Sequence, residues 1–402
     1  MNTVVIIGGG ASGLMAALTA AEDKNNHVIL LERQQRIGRK LLATGNGRCN
    51  LTNTGAATEN YHGEDPAFAR PALEKFTPAD TLRFFHGLGL LTVTEYGGRV
   101  YPLSNSANSV LDVLRLALDR AGVEQRTACP ARELRREKEG FTVVTDAGSL
   151  RADKLIVACG GAAGGKLGGV TDGYELLKAL GHKRTGLYPA LVPVHTAAEY
   201  PRALKGVRVQ GALRLTGGGA ALAESRGEIQ FTETGVSGPA VFDISRAAST
   251  GGEGLRLHMD LLPQDEKEVF ALLRKRREEY PELDAAELFT GMLHNRLGRM
   301  LVKYAGIRAG QPLGGLDDAA LGRLAAAAKD FSLDVTGTGG LDSAQVTAGG
   351  IRTAGVNPET LESWFVPGLF LCGEVLDVDG DCGGYNLQWA WASGRLAGRL
   401  GT

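Results

Sequence analysis

Residues 3–13 read TVVIIGGGASG and carry the clearest structural signal in the chain. Thr3–Ile7 is a short β-branched run, which predicts a buried parallel strand. The glycines at positions 8, 10 and 13 then match the dinucleotide-binding pattern GxGxxG. The Ala-rich run Leu14–Asp23 predicts a helix, and His27–Glu32 predicts a second strand. This order of strand, turn, helix and strand indicates a dinucleotide-binding α/β unit.

Each glycine of this turn has its own physical reason. Gly8 permits a tight turn after the strand, Gly10 lets the backbone approach a pyrophosphate, and Gly13 lets the helix pack against the strand. Ala11 and Ser12 open the helix, whose N-terminus offers unpaired N–H groups and a positive dipole to phosphates. We therefore expect these five residues to contact the cofactor.

The acidic residue at the end of the second strand selects among dinucleotides. Glu32 follows Gly13 by 19 residues, close to the spacing at which an acidic residue binds a ribose. Its carboxylate accepts hydrogen bonds from a ribose diol but repels a 2′-phosphate. The sequence therefore predicts FAD or NAD rather than NADP.

The C-terminal region contains a second unit of strand, turn and helix. Gly368–Cys372 (GLFLC) predicts a buried strand, and the Gly-acid pair after it is the pattern with which many FAD proteins approach the flavin side of the cofactor. A glycine-rich turn then leads into the predicted helix Trp389–Leu400, whose N-terminus is expected to face the pyrimidine edge of the flavin. Two such units at opposite chain ends indicate one FAD domain interrupted by an insertion.

The composition limits the class of protein. A chain of 402 residues predicts two or three domains, and its 43% hydrophobic and 22% charged residues are a globular balance. The net charge of −1 supplies no general attraction for nucleic acid or an anionic membrane. The five cysteines form no CxxC pattern and the seven histidines form no close pair, so we expect no metal site and reduced thiols in the cytoplasm. We also expect no membrane span and no secretory signal.

The distribution of alternating and helically periodic segments along the chain predicts how the domains are arranged. The predicted fold class is α/β, with a Rossmann-like, two-dinucleotide-binding FAD domain formed by residues 1–189 and 348–402. Alternating segments predict an inserted β-barrel substrate domain at residues 190–262 and 330–347, and periodic segments predict a helical subdomain at residues 263–329.

Individual elements follow from turn residues and helical periodicity. Gly217–Gly219 predicts a hairpin turn between strands at Val209–Leu215 and Ala221–Phe231. Apolar residues at helical spacing predict the helices Pro78–Gly87, Ser109–Ala121, Glu266–Glu279, Ala285–Tyr304 and Asp317–Lys329.

The chain resembles the bacterial BaiN/RdsA flavoproteins in three longer segments, Lys40–Asn53 (KLLATGNGRCNLTN), Phe231–Ser245 (FTETGVSGPAVFDIS) and Gly373–Gly394 (GEVLDVDGDCGGYNLQWAWASG). This group includes YhiN-like and aminoacetone-oxidase-like proteins and is often labelled NAD(P)/FAD-dependent oxidoreductase. The resemblance covers essentially the whole chain and implies an FAD-dependent enzyme. We expect the FAD to be noncovalent, and any NAD(P)H to dock transiently as electron donor.

The resemblance also implies which residues lie at the cofactor. Arg39 and Lys40 are expected near phosphate or ribose, and the turn GNGRCN near the flavin ring. For Arg33 a solvated position is the simpler alternative. The glycine pair after the predicted strand Lys154–Cys159 is expected to let the backbone pass FAD. The predicted cofactor contacts outside the first glycine turn are Glu32, Arg33, Arg39, Lys40, Gly45, Asn46, Gly47, Arg48, Gly160, Gly161, Gly373, Glu374, Gly384, Tyr385, Asn386 and Leu387.

Because the flavin N5 carries the hydride, the protein must mainly orient substrate and supply a proton. Tyr385 is the leading proton donor, with aromatic packing as the alternative. Cys49 is the best-placed thiol, although free cysteine is usually buried and structural. Glu233 either lines the substrate approach or caps backbone N–H groups. Of Trp389 and Trp391, one is expected to pack and the other to meet substrate or partner.

Three functions follow from these residues and the resemblance. The first is NAD(P)H-supported reduction of a conjugated C=C bond in a small molecule, such as a bile-acid-type enone, with an amine oxidase of the aminoacetone type as a variant. The second is reduction of uridine to dihydrouridine in ribosomal RNA, which needs a basic surface. Candidate patches are Arg202, Lys205 and Arg208, and the run Arg274–Arg277. The third is a flavin-bound protein without catalysis.

Overall fold

The structure is a computed structural model that describes residues 2–402. The chain divides into two compact units: the first runs up to Pro189 and resumes at Leu341–Thr402, and the second is Ala190–Gly340. None of the helices in the described part combines the length and the apolar character needed to cross a membrane. The helices are α1 (Ala11–Ala20), α2 (Arg39–Ala43), α3 (Arg70–Lys75), α4 (Pro78–Gly87), α5 (Ala107–Ala121), α6 (Asp172–Ala179), α7 (Glu199–Leu204), α8 (Pro239–Thr250), α9 (Glu266–Glu279), α10 (Asn295–Tyr304), α11 (Asp318–Lys329) and α12 (Tyr385–Gly398).

The strands are mostly short and fall into several separate sheets. In chain order they are β1 (Asn2–Ile7), β2 (Asn26–Leu31), β3 (Thr52–Asn53), β4 (Tyr61–His62), β5 (Thr92–Thr94), β6 (Arg99–Pro102), β7 (Glu124–Arg126), β8 (Ala131–Arg136), β9 (Phe141–Thr145), β10 (Gly148–Ala152), β11 (Lys154–Val157), β12 (Tyr188–Ala190), β13 (Val194–Thr196), β14 (Arg208–Gly217), β15 (Ala220–Phe231), β16 (Gly235–Ser237), β17 (Arg256–Asp260), β18 (Phe331–Thr338), β19 (Val346–Ala348), β20 (Leu369–Leu371) and β21 (Asp379–Gly380).

The central sheet of the first unit has the order β20-β11-β1-β2-β7 and is parallel throughout. Its middle strand is the β-branched run at the start of the chain, and Val4–Ile7 are buried because helices cover both faces of such a sheet. In register, Ile7 pairs with Leu31 on one side and Val157 on the other, and Val157 pairs with Leu371. The first and last parts of the chain therefore share one sheet, which confirms the predicted Rossmann-type fold.

The C-terminal helix α12 packs directly against α1. A Cβ added at Gly394 would collide with the backbone oxygen of Ser12, and one added at Gly398 would press on Thr19, so the two backbones approach closely. Trp389 and Trp391 are 2% and 0% exposed. The expectation that one of the two tryptophans faces substrate or partner was therefore wrong, since α12 is covered on more than one side.

The second unit is built on a closed six-stranded barrel with the order β13-β16-β15-β14-β17-β18. The long hairpin β14–β15 turns at Gly218 and Gly219, both with positive φ, as its glycines predicted. Helices α8, α9, α10 and α11 bury their apolar faces in the same hydrophobic core as the barrel strands. Barrel and helices are thus one packed unit.

The helices of this unit differ from the sequence prediction in two places. The segment Ala285–Tyr304 is not one helix, because Gly291 adopts a φ of +83° and only Asn295–Tyr304 continues as α10. Helix α8 was not among the predicted helices, and the Gly238-Pro239 pair at its start also fits a turn. Pro239 instead occupies the first helical turn, where its missing N–H costs nothing, and Val241 and Ile244 bury one face of the helix.

Candidate active site

In the glycine turn between β1 and α1, Gly8 and Gly13 are packed against the backbone, whereas Gly10 faces open space. A Cβ on Gly13 would collide with the carbonyl oxygen of Gly8, and a Cβ on Gly8 would collide with that of Ala158. A Cβ on Gly10, in contrast, would meet no heavy atom within 4 Å. Gly10 also provides no side-chain cap for α1, which begins at Ala11. The space at Gly10 and the uncapped N–H groups together suit a phosphate.

Glu32 lies directly after β2 and is held against the glycine turn. Its Oε2 accepts a hydrogen bond from the N–H of Gly9 at 2.9 Å, and its Oε1 accepts one from the N–H of Gln34 at 2.6 Å. A carboxylate has about four lone-pair positions, so acceptor capacity remains for ribose hydroxyls. The adjacent Arg33 is exposed and forms a long ion pair of 3.6 Å with Asp172, which agrees with a solvated position.

Three of the segments expected at the cofactor converge on one ion pair. The Nζ of Lys40 lies 2.6 Å from Oε2 of Glu374, and both side chains are largely buried, at 30% and 21% exposed. Oε1 of Glu374 accepts from the N–H of Thr347 at 2.8 Å. A Cβ on Gly161 would strike the Thr347 side chain. The sequence prediction did not include Thr347, whose only signal is the small-residue segment TAGG.

Three further predicted cofactor residues differ in their surroundings. Gly160 has a φ of +75° and open space around its Cβ position, as a close backbone approach requires. Gly373, with a φ of +76°, lies against Ser12 of α1, and its N–H donates to the Ser393 hydroxyl at 3.0 Å. Arg39 is exposed and donates to the side chain of Gln34 at 2.9 Å.

The turn GNGRCN is a tight left-handed structure. Gly45, Asn46, Gly47 and Cys49 all have positive φ, between +57° and +84°. Arg48 is engaged elsewhere: its guanidinium stacks 3.9 Å from the centre of the Tyr101 ring and pairs with Glu95, whose hydrogen bond raises the pKa of Arg48. The turn therefore presents backbone rather than the Arg48 charge.

Cys49 is fully buried, and burial raises the pKa of its thiol to about 12, against a smaller opposing effect of a hydrogen bond with Thr44. A thiol with that pKa is protonated at neutral pH. This environment favours the structural interpretation of Cys49 over a catalytic thiolate.

The N-terminus of α12 is fixed by side chains around it. Gly384 has a φ of +103° and no side-chain cap, and Tyr385 follows it as the first helical residue, half-buried. The buried hydroxyl of Tyr61 donates to the backbone oxygen of Tyr385 at 3.0 Å, and the two rings form an edge-to-face pair at 6.5 Å. Asn386 exchanges two hydrogen bonds, of 2.9 and 2.7 Å, with the backbone of Gly380. Leu387 packs on the core.

Two groups near this helix end were missed by sequence reasoning. Gln388 is fully buried, and its Oε1 accepts from the hydroxyls of Thr52 and Thr81 at 2.7 and 2.8 Å. His62 Nε2 lies 2.7 Å from Oδ1 of Asp381, in the turn that precedes α12. Neither pairing has a local signal, because each joins residues about 300 positions apart.

These features of the first unit fit FAD. The open position at Gly10 and the uncapped α1 suit a pyrophosphate, and Glu32 suits a ribose. At the other end of the chain, the uncapped α12 lies beside Asn50, whose buried side-chain oxygen has no hydrogen-bond partner in the protein. A polar ring edge placed there would satisfy both the free N–H groups of α12 and the side-chain oxygen of Asn50.

The two candidate basic patches and Glu233 all lie in the second unit. Glu233 is exposed and pairs with Lys205, whose hydrogen bond lowers the pKa of Glu233. Most members of the two candidate basic patches are likewise paired with carboxylates: Lys205 with Glu233, Arg208 with Glu228, Arg274 with Glu278, Lys275 with Glu279, and Arg277 with Asp318. Both patches are therefore largely neutralised.

The sequence is similar to known proteins over nearly the whole length of the chain. The profile of a family described as "HI0933-like protein Rossmann domain" matches residues 2–400. A 3-dehydro-bile acid delta(4,6)-reductase of Clostridium scindens is 43% identical over 373 residues, which cover 92% of this chain and 91% of that protein. A ribosomal RNA dihydrouridine synthase of Escherichia coli is 30% identical over 375 residues, which cover 90% and 89%.

Among solved structures, a 3-ketosteroid-delta4-(5alpha)-dehydrogenase from Rhodococcus jostii aligns over 99% of this chain and 95% of its own. The identity is 15% and the TM-score is 0.47. A likeness at that level says nothing about substrate.

Proposed function

Since the chain belongs to the HI0933-like family and is an FAD-dependent oxidoreductase, we propose that it reduces a conjugated C=C bond of a small enone with NAD(P)H as electron donor. The observation that carries the proposal is the 43% identity to the bile-acid reductase, which extends over nine tenths of both chains. A bile-acid-type 3-keto steroid with conjugated double bonds is therefore the proposed substrate class.

Bound FAD supplies the hydride, which adds to the β carbon of the enone. The α carbon then needs one proton to complete the two-electron reduction. We assign that proton to the phenol of Tyr385, at the first position of α12, where the hydrogen bond from Tyr61 holds its backbone in place. Residues Lys40, Glu374 and Glu32 orient the cofactor and take no part in the proton transfer.

The proposal is tested by following the flavin absorbance of the purified holoenzyme without oxygen. We expect NADH or NADPH to bleach the flavin, and a 3-keto-4,6-diene steroid to restore its colour with formation of the reduced product. The matching saturated 3-ketone is the control and should leave the flavin reduced. If only oxygen restores the colour, with release of peroxide, the enzyme is an oxidase and the proposal fails.

Tyr385→Phe separates the two half-reactions. We expect reduction of the enone to slow by about 10²- to 10³-fold, because the proton donor is lost, while reduction of the flavin by NAD(P)H is unchanged. Tyr61→Phe is the matched control, since it removes a neighbouring phenol that bonds only to the backbone of Tyr385. A loss in Tyr61→Phe as large as that in Tyr385→Phe would contradict the assignment.

A second candidate is reduction of a uridine in ribosomal RNA, which the 30% identity to the E. coli dihydrouridine synthase supports. The chemistry is again hydride addition to a conjugated C=C bond. However, RNA binding relies on unpaired basic side chains, and those of both candidate patches are largely paired with carboxylates. Colour restored by an rRNA fragment but not by the steroid, with dihydrouridine as the product, would establish this second candidate.

A further inference from the structure

In the described part of the first unit, three buried polar side-chain atoms have no hydrogen-bond partner: Oδ1 of Asn50, the hydroxyl of Tyr174 and Nδ1 of His182. Of these, Asn50 lies at the candidate cofactor site. Oδ1 of Asn50 is excluded from solvent and receives no hydrogen bond from the protein. Buried side-chain oxygens in folded proteins nearly always accept a hydrogen bond, so a group outside the chain is expected to donate one here. Asn50 directly follows the left-handed turn that ends at Cys49.

Two glycines lie so close to Asn50 that no larger residue would fit at either position. A Cβ on Gly384 would lie 2.8 Å from Oδ1 of Asn50 and 2.5 Å from the backbone oxygen of Thr52, and a Cβ on Gly45 would lie 2.9 Å from the backbone nitrogen of Asn50. Both glycines have positive φ, +103° and +57°. The Asn50 oxygen therefore lies beside the uncapped N-terminus of α12, whose first N–H groups are donors.

We propose that Oδ1 of Asn50 accepts the hydrogen bond of the flavin N3–H. The pyrimidine edge of an oxidised flavin presents one N–H donor flanked by two carbonyl acceptors. An acceptor next to helix N–H donors is complementary to that edge. A phosphate without a proton offers no donor and would leave Oδ1 unsatisfied. The inference rests on FAD as the cofactor but on no particular substrate, so it can fail or hold independently of enone reduction.

The test compares FAD with 3-methyl-FAD, which lacks the N3 hydrogen. Purified apoprotein is titrated with each flavin, and binding is measured by quenching of flavin fluorescence, without any substrate. We expect the wild type to bind 3-methyl-FAD about tenfold or more weakly than FAD, the usual effect of losing one buried hydrogen bond. In Asn50→Ala the affinity for FAD should fall by a similar factor, and the preference for FAD over 3-methyl-FAD should disappear.

Two further variants make the result specific. Asn53→Ala is the matched control, because Asn53 is also buried near this helix end but its amide is fully bonded, to the backbone of Gly97, Gly383 and Gly55. Its preference for FAD should match the wild type even if both affinities change. Asn50→Asp retains an acceptor and should keep the preference, while its negative charge lowers the midpoint potential of the bound flavin.

The inference is overturned if the wild type binds both flavins equally, since the donor to Asn50 would then be a hydroxyl or a water. It is also overturned if Asn50→Ala retains the wild-type preference. Should Asn50→Ala fail to fold, Asn50→Asp and the wild type still decide the question through their shared preference and the shift in potential.

Discussion

At the scale of single residues, burial decides what the cysteines can do. Cys49 and Cys372 are both 0% exposed, and burial raises the pKa of each thiol from 9.0 to about 12. Between those two values the unfolded chain loses the thiol protons while the folded protein keeps them. The stabilisation is therefore complete below about pH 9 and is lost as the pH rises towards 12.

This difference predicts a measurable pH dependence. The free energy of unfolding should fall above about pH 9 by up to about 1.4 kcal/mol per pH unit for each of the two thiols. Chemical unfolding of the wild type at about pH 8 and about pH 10.5 measures the fall, and Cys49→Ala should show a smaller one. Identical pH slopes for wild type and Cys49→Ala would mean that the native thiol ionises normally.

Residues for the candidate cofactor site could be proposed from the sequence, but their partners in the fold could not. Glu32 was predicted from its spacing after Gly13, and it lies at the glycine turn. Lys40 and Glu374 were each expected to contact FAD, yet in the structure they bind each other at 2.6 Å. A counter-ion 334 positions away leaves no local pattern, since only the folded sheet brings the two side chains together.

At the scale of elements, the turn between β1 and α1 allows packing to be separated from binding. In Gly13→Ala the new Cβ would collide with the backbone of Gly8, so the apoprotein should lose about 3 kcal/mol of stability. In Gly10→Ala the Cβ enters open space, at an ordinary φ of −82°. Its apoprotein should therefore unfold like the wild type, within about 0.5 kcal/mol.

Gly10→Ala should nevertheless bind FAD about ten- to a hundredfold more weakly, because the methyl group occupies space that the pyrophosphate needs. Apoprotein unfolding and flavin fluorescence titration measure the two effects separately. Wild-type FAD affinity in Gly10→Ala would show that the phosphates do not bind over this turn.

Periodic elements were easier to predict than those that begin with turn residues. Helices α4 and α9 occupy Pro78–Gly87 and Glu266–Glu279 as predicted, because their apolar spacing is regular and their caps are local. Helix α8 was missed because its start, Gly238-Pro239, also fits a turn. The close packing of α12 on α1 had a usable signal, the small residues at positions 390, 394 and 398, which recur every four residues.

At the scale of the whole molecule, the first unit depends on joining the two ends of the chain. Strand β20 completes the sheet begun by β1, and α12 covers α1. The sequence predicted this closure because both ends carry a strand, a turn and a helix of the cofactor-binding kind. It could not show which side chains hold the ends together. Several ion pairs do so, among them Lys40 with Glu374 and Lys75 with Glu359.

The Lys40–Glu374 and Lys75–Glu359 pairs should contribute very differently to stability, because they differ in exposure. Lys40 and Glu374 are 30% and 21% exposed, whereas Lys75 and Glu359 are 39% and 61% exposed. A double-mutant cycle with Lys40→Met and Glu374→Gln should give a coupling of about 1–2 kcal/mol in unfolding of the apoprotein. The same cycle with Lys75→Met and Glu359→Gln should give about 0–0.5 kcal/mol, since water and salt screen an exposed pair.

The two ion pairs should also differ in their effect on FAD affinity. In Lys40→Met the Glu374 carboxylate keeps its hydrogen bond with the Thr347 N–H but loses its counter-ion. Because this carboxylate lies where three predicted cofactor segments meet, the affinity for FAD should fall about tenfold. Lys75→Met should bind FAD like the wild type. Equal coupling in the two cycles, together with equal FAD affinity in the two lysine variants, would contradict a role for the Lys40–Glu374 pair at the cofactor and reduce it to one more surface contact between the chain ends.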